Sequence, residues 1–419
     1  MDTFLRIFDS GKFLDEITRD IKSNTNHAWT QSSESYKSLI EKSNDIHFRS
    51  LSRVSLEISK LVKIVERKEI IDLLEKIHIF SIDLFLYWEK CPLSQILKED
   101  SLDQETRKCT PLLWKILKPL LFSITMIFRA IVSRSILEYH ENEVQERILI
   151  LSTFSHLYFI TLRFSIYGFP TYKVVLFAVL DKVKSDHKEL ENILNILKPS
   201  PPSNKDKSTE TSRFVFYLLV IEQSMKELDD EIVENEILPF IYPYLKDKSE
   251  IRLYESVHVV ILAMFSTKKR ISPKLSPFYC NLLLQAYPDL LTVGQLRAAY
   301  SIVIRSLSET DDALAWVCLE KLIKAIENLP TTDNIYTALL FHRGHLLLTL
   351  IDQIKSVNLI FLKTLLLKIK NFLTNEPNSI SKNAIQKVLF DALSTELDYT
   401  KKEAGVKWWL TEGVNICKL

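Results

Sequence analysis

The chain has 419 residues, 47% hydrophobic and 26% charged, enough apolar material for more than one core. Its 54 Lys and Arg offset 53 Asp and Glu, leaving a net charge of +1 without the basic excess on which nucleic-acid binding depends. There are 6 glycines where average usage would give about 29, and none are close enough together to form a dinucleotide loop, a P-loop or a nucleophile elbow.

From the N-terminus, Met1–Lys12 carries Asp2, Arg6, Asp9 and Lys12 and contains no apolar signal core, so no secretory leader is expected. Ser23–Ser35 is polar and reads as a loop. Leu51–Val65 places Leu51, Val54, Ile58, Leu61, Val62 and Val65 on one helical face, and Ile70–Tyr87 repeats the pattern. Pro92, Pro111 and Pro119 are expected to interrupt the next stretch of chain, before buried helices at Leu120–Leu137 and Val144–Tyr167. The second of these contains the longest uncharged run, Ile148–Leu162. It is too short for a bilayer span of about 20 residues and reads as a core helix, with contact to a membrane surface as the lesser alternative. Gly168-Phe169-Pro170 ends it.

Residues 199–212 hold prolines and polar residues only and read as a linker between two helical halves, 1–198 and 213–416. The second half predicts helices at Phe214–Leu228, Glu231–Leu245, Ile251–Phe265, Pro277–Tyr287, Val293–Leu307, Asp311–Ile326, Asn334–Ile351, Leu359–Leu373, Ile380–Leu397 and Lys401–Gly413. Thr292-x-x-Gln295 and Thr400-x-x-Glu403 read as capping boxes, and Ser276-Pro277 as a cap with a first-turn proline. Helix pairs recur at roughly 40-residue spacing, the period of HEAT and armadillo hairpins. The expected fold is all-α, an irregular HEAT/armadillo-like helical-hairpin solenoid, with an irregular bundle as the alternative.

Few residues suggest chemistry. The five cysteines form no Cys-x-x-Cys pair and read as buried thiols. His342 and His345, with Asp352 further along, lack the fourth ligand of structural zinc and read as surface histidines. His140-Glu141 begins a zincin motif that Val144 breaks. Lys268-Lys269-Arg270 with Lys274 reads as a solvated basic turn, Trp408-Trp409 as core packing. No catalytic group, cofactor or metal is assigned. The ending Cys417-Lys418-Leu419 is a variant of the Ser-Lys-Leu peroxisomal address, which a receptor reads by capturing the carboxylate and the terminal leucine.

Between Glu255 and Leu307 four elements occur in order: Glu255-x-x-His258 on a helix, Pro277-x-Tyr279, Tyr287-Pro288, and Gln295-Leu296-Arg297. Together with the C-terminal tripeptide, this block resembles the fungal peroxin-8 family, whose members usually end in Ser-Lys-Leu and are often longer at the N-terminus. An N-terminal nonapeptide signal found in some members is not matched, because Arg6-Ile7 and Phe13-Leu14 lack the His or Gln that it requires. The resemblance implies a non-enzymatic adaptor on the matrix side of the peroxisomal membrane. It would be peripheral to that membrane, bind the cycling import receptor, and join the docking complex to the RING-finger ubiquitin ligase complex, supporting cargo release. An imported matrix enzyme of unknown chemistry and a generic cytosolic HEAT-type scaffold are the alternatives.

Overall fold

Of the 419 residues, the computed structural model describes 8, 11–24, 28–95, 102–137, 142–165, 168–200, 209–329, 337–375 and 379–413. Among these residues there are helices and turns and no strand, so the fold is all-α. The chain divides into two compact units, the first made of Met1–Leu228 with Asp247–Val257 and the second of Asp229–Lys246 with His258–Leu419.

The first unit contains α1 Lys12–Ser23, α2 Glu34–Asn44, α3 Leu51–Leu61, α4 Arg67–Lys90, α5 Gln104–Leu137, α6 Glu143–Phe164, α7 Pro170–Val183, α8 His187–Leu197 and α9 Thr209–Ser224. They pack in two rows. In one row α1 packs on α4, α4 on α6 and α6 on α9; in the other α2 and α3 pack on α5, and α5 on α7. Such next-but-one packing is the signature of stacked helical hairpins, each too small to bury its apolar stripe alone. α6 is covered on every side. All six residues from Ile150 to Ser155 are buried, which fits a helix apolar around its whole circumference and puts Ile148–Leu162 inside the protein.

Pro111 and Pro119 do not interrupt the chain: both lie within the single 34-residue helix α5. A proline removes the donor to the carbonyl four residues back. For Pro111 that carbonyl belongs to Arg107, and it accepts instead from the Thr110 hydroxyl at 3.2 Å. α5 is also long and apolar enough over Gln104–Ser135 to cross a membrane, which uncharged runs do not reveal, but about half of that stretch is buried against its neighbours. α3 stops at Leu61, short of the expected Val65. Arg134 of α5 reaches over and donates to the Val62 and Val65 carbonyls, both at 2.7 Å, which closes the turn. Residues 209–212, assigned to the linker from composition, belong to α9, which packs on α6 in the first unit; residues 201–208 lie outside the described residues.

The helix α10 Ile251–Ser266 starts in the first unit and finishes in the second. The second unit continues with α11 Ser272–Ala286, α12 Val293–Ser308, α13 Asp312–Glu327, α14 Thr337–Asp352, α15 Leu359–Thr374, α16 Ser379–Asp391 and α17 Tyr399–Trp408. Here α11 packs on α12 and α13, α12 on α13 and α14, and α14 on α16. This zig-zag is the hairpin solenoid that the helix spacing predicts. Ser276-Pro277 is not a start. α11 begins at Ser272 and Pro277 sits inside it, where the orphaned Pro273 carbonyl accepts from the Ser276 hydroxyl at 2.8 Å. α17 begins earlier than its expected cap Thr400: Asp398 is the N-cap, accepting from the Lys401 amide at 3.1 Å and from the Thr400 hydroxyl at 2.6 Å.

Candidate functional site

The family-like block falls on α10, α11 and α12, and most of its residues are tied into polar contacts. His258 on α10 lies 3.0 Å by Nδ1 from the Tyr279 hydroxyl on α11, and the two rings pack with centroids 5.4 Å apart. Both are buried, His258 at 6% exposure and Tyr279 at 0%. Phe265 stacks on the same tyrosine at 5.8 Å. Burial holds the His258 imidazole down to about pKa 4, against a smaller raising contribution from a hydrogen bond to the Leu245 backbone. The neutral histidine and the phenol form a buried tie between α10 and α11.

Arg297 on α12 makes a bidentate pair with Asp352 at the end of α14, Nε to Oδ2 at 2.5 Å and Nη2 to Oδ1 at 2.8 Å. The pair holds the guanidinium pKa up. Gln295 closes the capping box with Thr292 as its spacing predicts, the Thr292 amide donating to Oε1 at 2.8 Å. Pro277 is half-buried within α11, Pro288 follows the cis peptide of Tyr287 and is exposed, and Glu255 is exposed on α10. Cys417, Lys418 and Leu419 lie outside the described residues, as does His140-Glu141.

Several residues set aside from the sequence take part in the same framework. His345 is held by the Tyr287 hydroxyl at 2.6 Å, and the His342 ring packs edge-on against Tyr287. With Asp352 committed to Arg297, the three residues do not converge, and among the described residues no three His, Cys, Asp or Glu side chains are grouped to hold a metal. The basic turn is not simply solvated. Arg270 pairs with Glu234 at 2.9 and 3.0 Å, Lys268 pairs with Glu309, and Lys269 is buried. Trp408 is buried, whereas Trp409 packs half-exposed on Phe390 at 5.2 Å. Cys91, Cys109, Cys280 and Cys318 are buried free thiols.

Other polar residues that position the helices left no local signal in the sequence. Arg343 is buried on α14 and donates to the Ile326 carbonyl at 2.8 Å, capping α13 as Arg134 caps α3. In the first unit Arg147 forks onto Glu189 at 2.6 and 2.8 Å, and buried Glu146 accepts from Ser135 at 2.6 Å. Half-buried His156 lies beside His78 with ring centroids 5.3 Å apart, and burial brings its pKa down to about 3.

Two family models match the chain. The PEX8 helical domain matches residues 29–171, and the PEX8 central TPR-like domain matches residues 190–266. Between them they span just over half of the chain, the first match wholly within the first unit and the second running from it into the start of the second. The second match includes Glu255 and His258 and ends before α11. No curated protein and no solved structure matches the chain.

Proposed function

Since the chain belongs to the peroxin-8 family, and with it to the machinery of peroxisomal protein import, we propose that it works as a non-enzymatic adaptor on the luminal face of the peroxisomal membrane. In this role it links the receptor-docking complex to the RING ubiquitin ligase complex and supports matrix protein import and cargo release. Its action is mass action: a scaffold that holds two membrane complexes and the cycling receptor raises their local concentration without making or breaking a bond. The family matches carry the reading. What supports the non-enzymatic part is the condition of His258 and Tyr279 in the family-like block, which are buried against each other.

Targeting rests on Cys417-Lys418-Leu419, with the small residue, the lysine and the terminal leucine each filling a receptor subsite. The test uses a tagged chain in cells. Pull-down of both membrane complexes, and failure of matrix enzymes of both signal classes to enter peroxisomes in the deletion strain, are expected. Matrix enzymes that stay inside in that strain would overturn the adaptor role. Full targeting after removal of residues 417–419, with no partner carrying the chain in, would overturn the signal alone.

A further inference from the structure

α15 and the C-terminal element, α17 with its continuation Trp409–Gly413, line a groove of about 460 Å³. α15 presents positions i, i+3, i+4, i+7 and i+8 from Leu359 to Leu367, and the C-terminal element presents the same spacing from Ala404 to Glu412. Two helices that line one groove with matched spacing make two sides of a three-helix contact, and among the described residues no third helix fills it. Leu359 and Leu367 remain 46% and 42% exposed there.

Two more features of the groove specify an occupant. Trp408 forms a buried apolar floor at 8% exposure. Lys363 and Lys407 line the groove, both exposed, and neither makes an ion pair among the described residues. The acid at the site, Glu412, is already taken by Lys370 at 2.5 Å. The groove is therefore apolar with cationic residues along it.

We propose that this groove docks an amphipathic helix of a partner protein, leucine-rich on its inner face and carrying Asp or Glu along its flanks. A helix fits because both walls present helical spacing, and its flanking acids meet Lys363 and Lys407. A lipid surface fits less well, since a groove walled by two helices suits one rod-like segment whereas a bilayer face is flat. The inference deepens the adaptor reading and rests on it for biological meaning, but purified components test it, so failure here leaves targeting and import phenotypes untouched.

The experiment uses the full chain and a fluorescein-labelled helical peptide of about 18 residues, with Leu at 3–4 spacing and Glu on the flanks. A twin peptide carries Lys in place of Glu. Fluorescence anisotropy is expected to show at least about tenfold tighter binding of the acidic peptide. The double variant Lys363→Glu/Lys407→Glu should reverse that preference, which shows at once that the variant is folded, and Leu367→Glu should abolish binding of both peptides. Equal binding of the two peptides, or a preference that the reversal leaves unchanged, would overturn the proposal. So would phosphatidylserine vesicles that bind with the same lysine dependence while the acidic peptide does not, which would make the surface a lipid site. A dimer that Leu367→Glu breaks would assign the groove to a second copy of the chain and overturn it as well.

Discussion

His258 offers the sharpest test of how the second unit is held together. The imidazole is 6% exposed and its pKa is pushed from 6.5 down to about 4, chiefly by burial. The native state thus favours the neutral ring, while the unfolded chain takes up a proton below pH 6.5. Stability from this residue is complete above pH 6.5, falls as the pH drops, and is fully lost below about pH 4. A shift from 6.5 to about 4, at 1.36 kcal/mol per pH unit, amounts to about 3 kcal/mol. His258→Gln keeps a polar group of similar reach facing Tyr279 but cannot titrate. At neutral pH it should cost about 1–2 kcal/mol for the poorer hydrogen bond. Because only the parent loses the His258 contribution on acidification, while both chains share every other pH effect, the two curves should cross at about pH 5. Urea unfolding followed across pH 4–7 measures the difference, and histidine 13C NMR reads the pKa directly. Parallel stability curves, or a His258 resonance that titrates near pH 6.5, would refute the reasoning.

His156 predicts the same sign of acid sensitivity in the first unit, over a wider window from pH 6.5 to about 3, and His156→Gln should flatten it in hydrogen-exchange measurements at low pH. Arg297→Ala strands the largely buried Asp352 carboxylate and should lower unfolding stability by about 2 kcal/mol, with Arg297→Lys recovering only part because an ammonium cannot fork onto both oxygens. Ser276→Ala leaves the Pro273 carbonyl without a donor and should cost about 1 kcal/mol, and adding Pro277→Ala should return most of that by restoring the backbone amide; thermal melts of the single and double variants decide it. Alkaline carbonate should release the chain from purified membranes despite the length of α5, and retention in the pellet would mean that this helix had left its neighbours for lipid.

How much of this was legible in the sequence differs between helix identity and helix ends. The apolar spacing in Leu51–Val65 and the uncharged run in Ile148–Leu162 mark helices correctly, because the stripe that packs is written in the residues themselves. The ends depend on partners far away in the chain. Arg134 closes α3 from another helix, and Arg343 caps α13 in the same way. The prolines mislead for a local reason that could have been read. In both Thr110-Pro111 and Ser276-Pro277 a hydroxyl residue precedes the proline and takes over the carbonyl that the ring abandons. A hydroxyl–proline pair inside an apolar pattern is therefore weaker evidence for a helix boundary than proline alone. In α5 this error hid a stretch long and apolar enough to span a bilayer.

For the candidate site the limit is different in kind. The block from Glu255 to Arg297 is readable as a pattern, yet its meaning lies in pairings with Tyr279, Asp352 and His345, which sit 21, 55 and 58 residues from their partners. Sequence order suggests a motif, whereas the contacts form a set of ties between successive hairpins. An adaptor needs that rigidity, because a scaffold that bends between its binding surfaces loses the local concentration it is meant to supply. The surfaces themselves should then lie where the ties are absent. The groove between α15 and the C-terminal element fits this description, with exposed leucines and two lysines that make no ion pair among the described residues. Its residues, Leu359 and Trp408 among them, look like ordinary core positions of two amphipathic helices, so nothing in the order of amino acids distinguishes them. Only the folded chain shows that these two stripes line one groove.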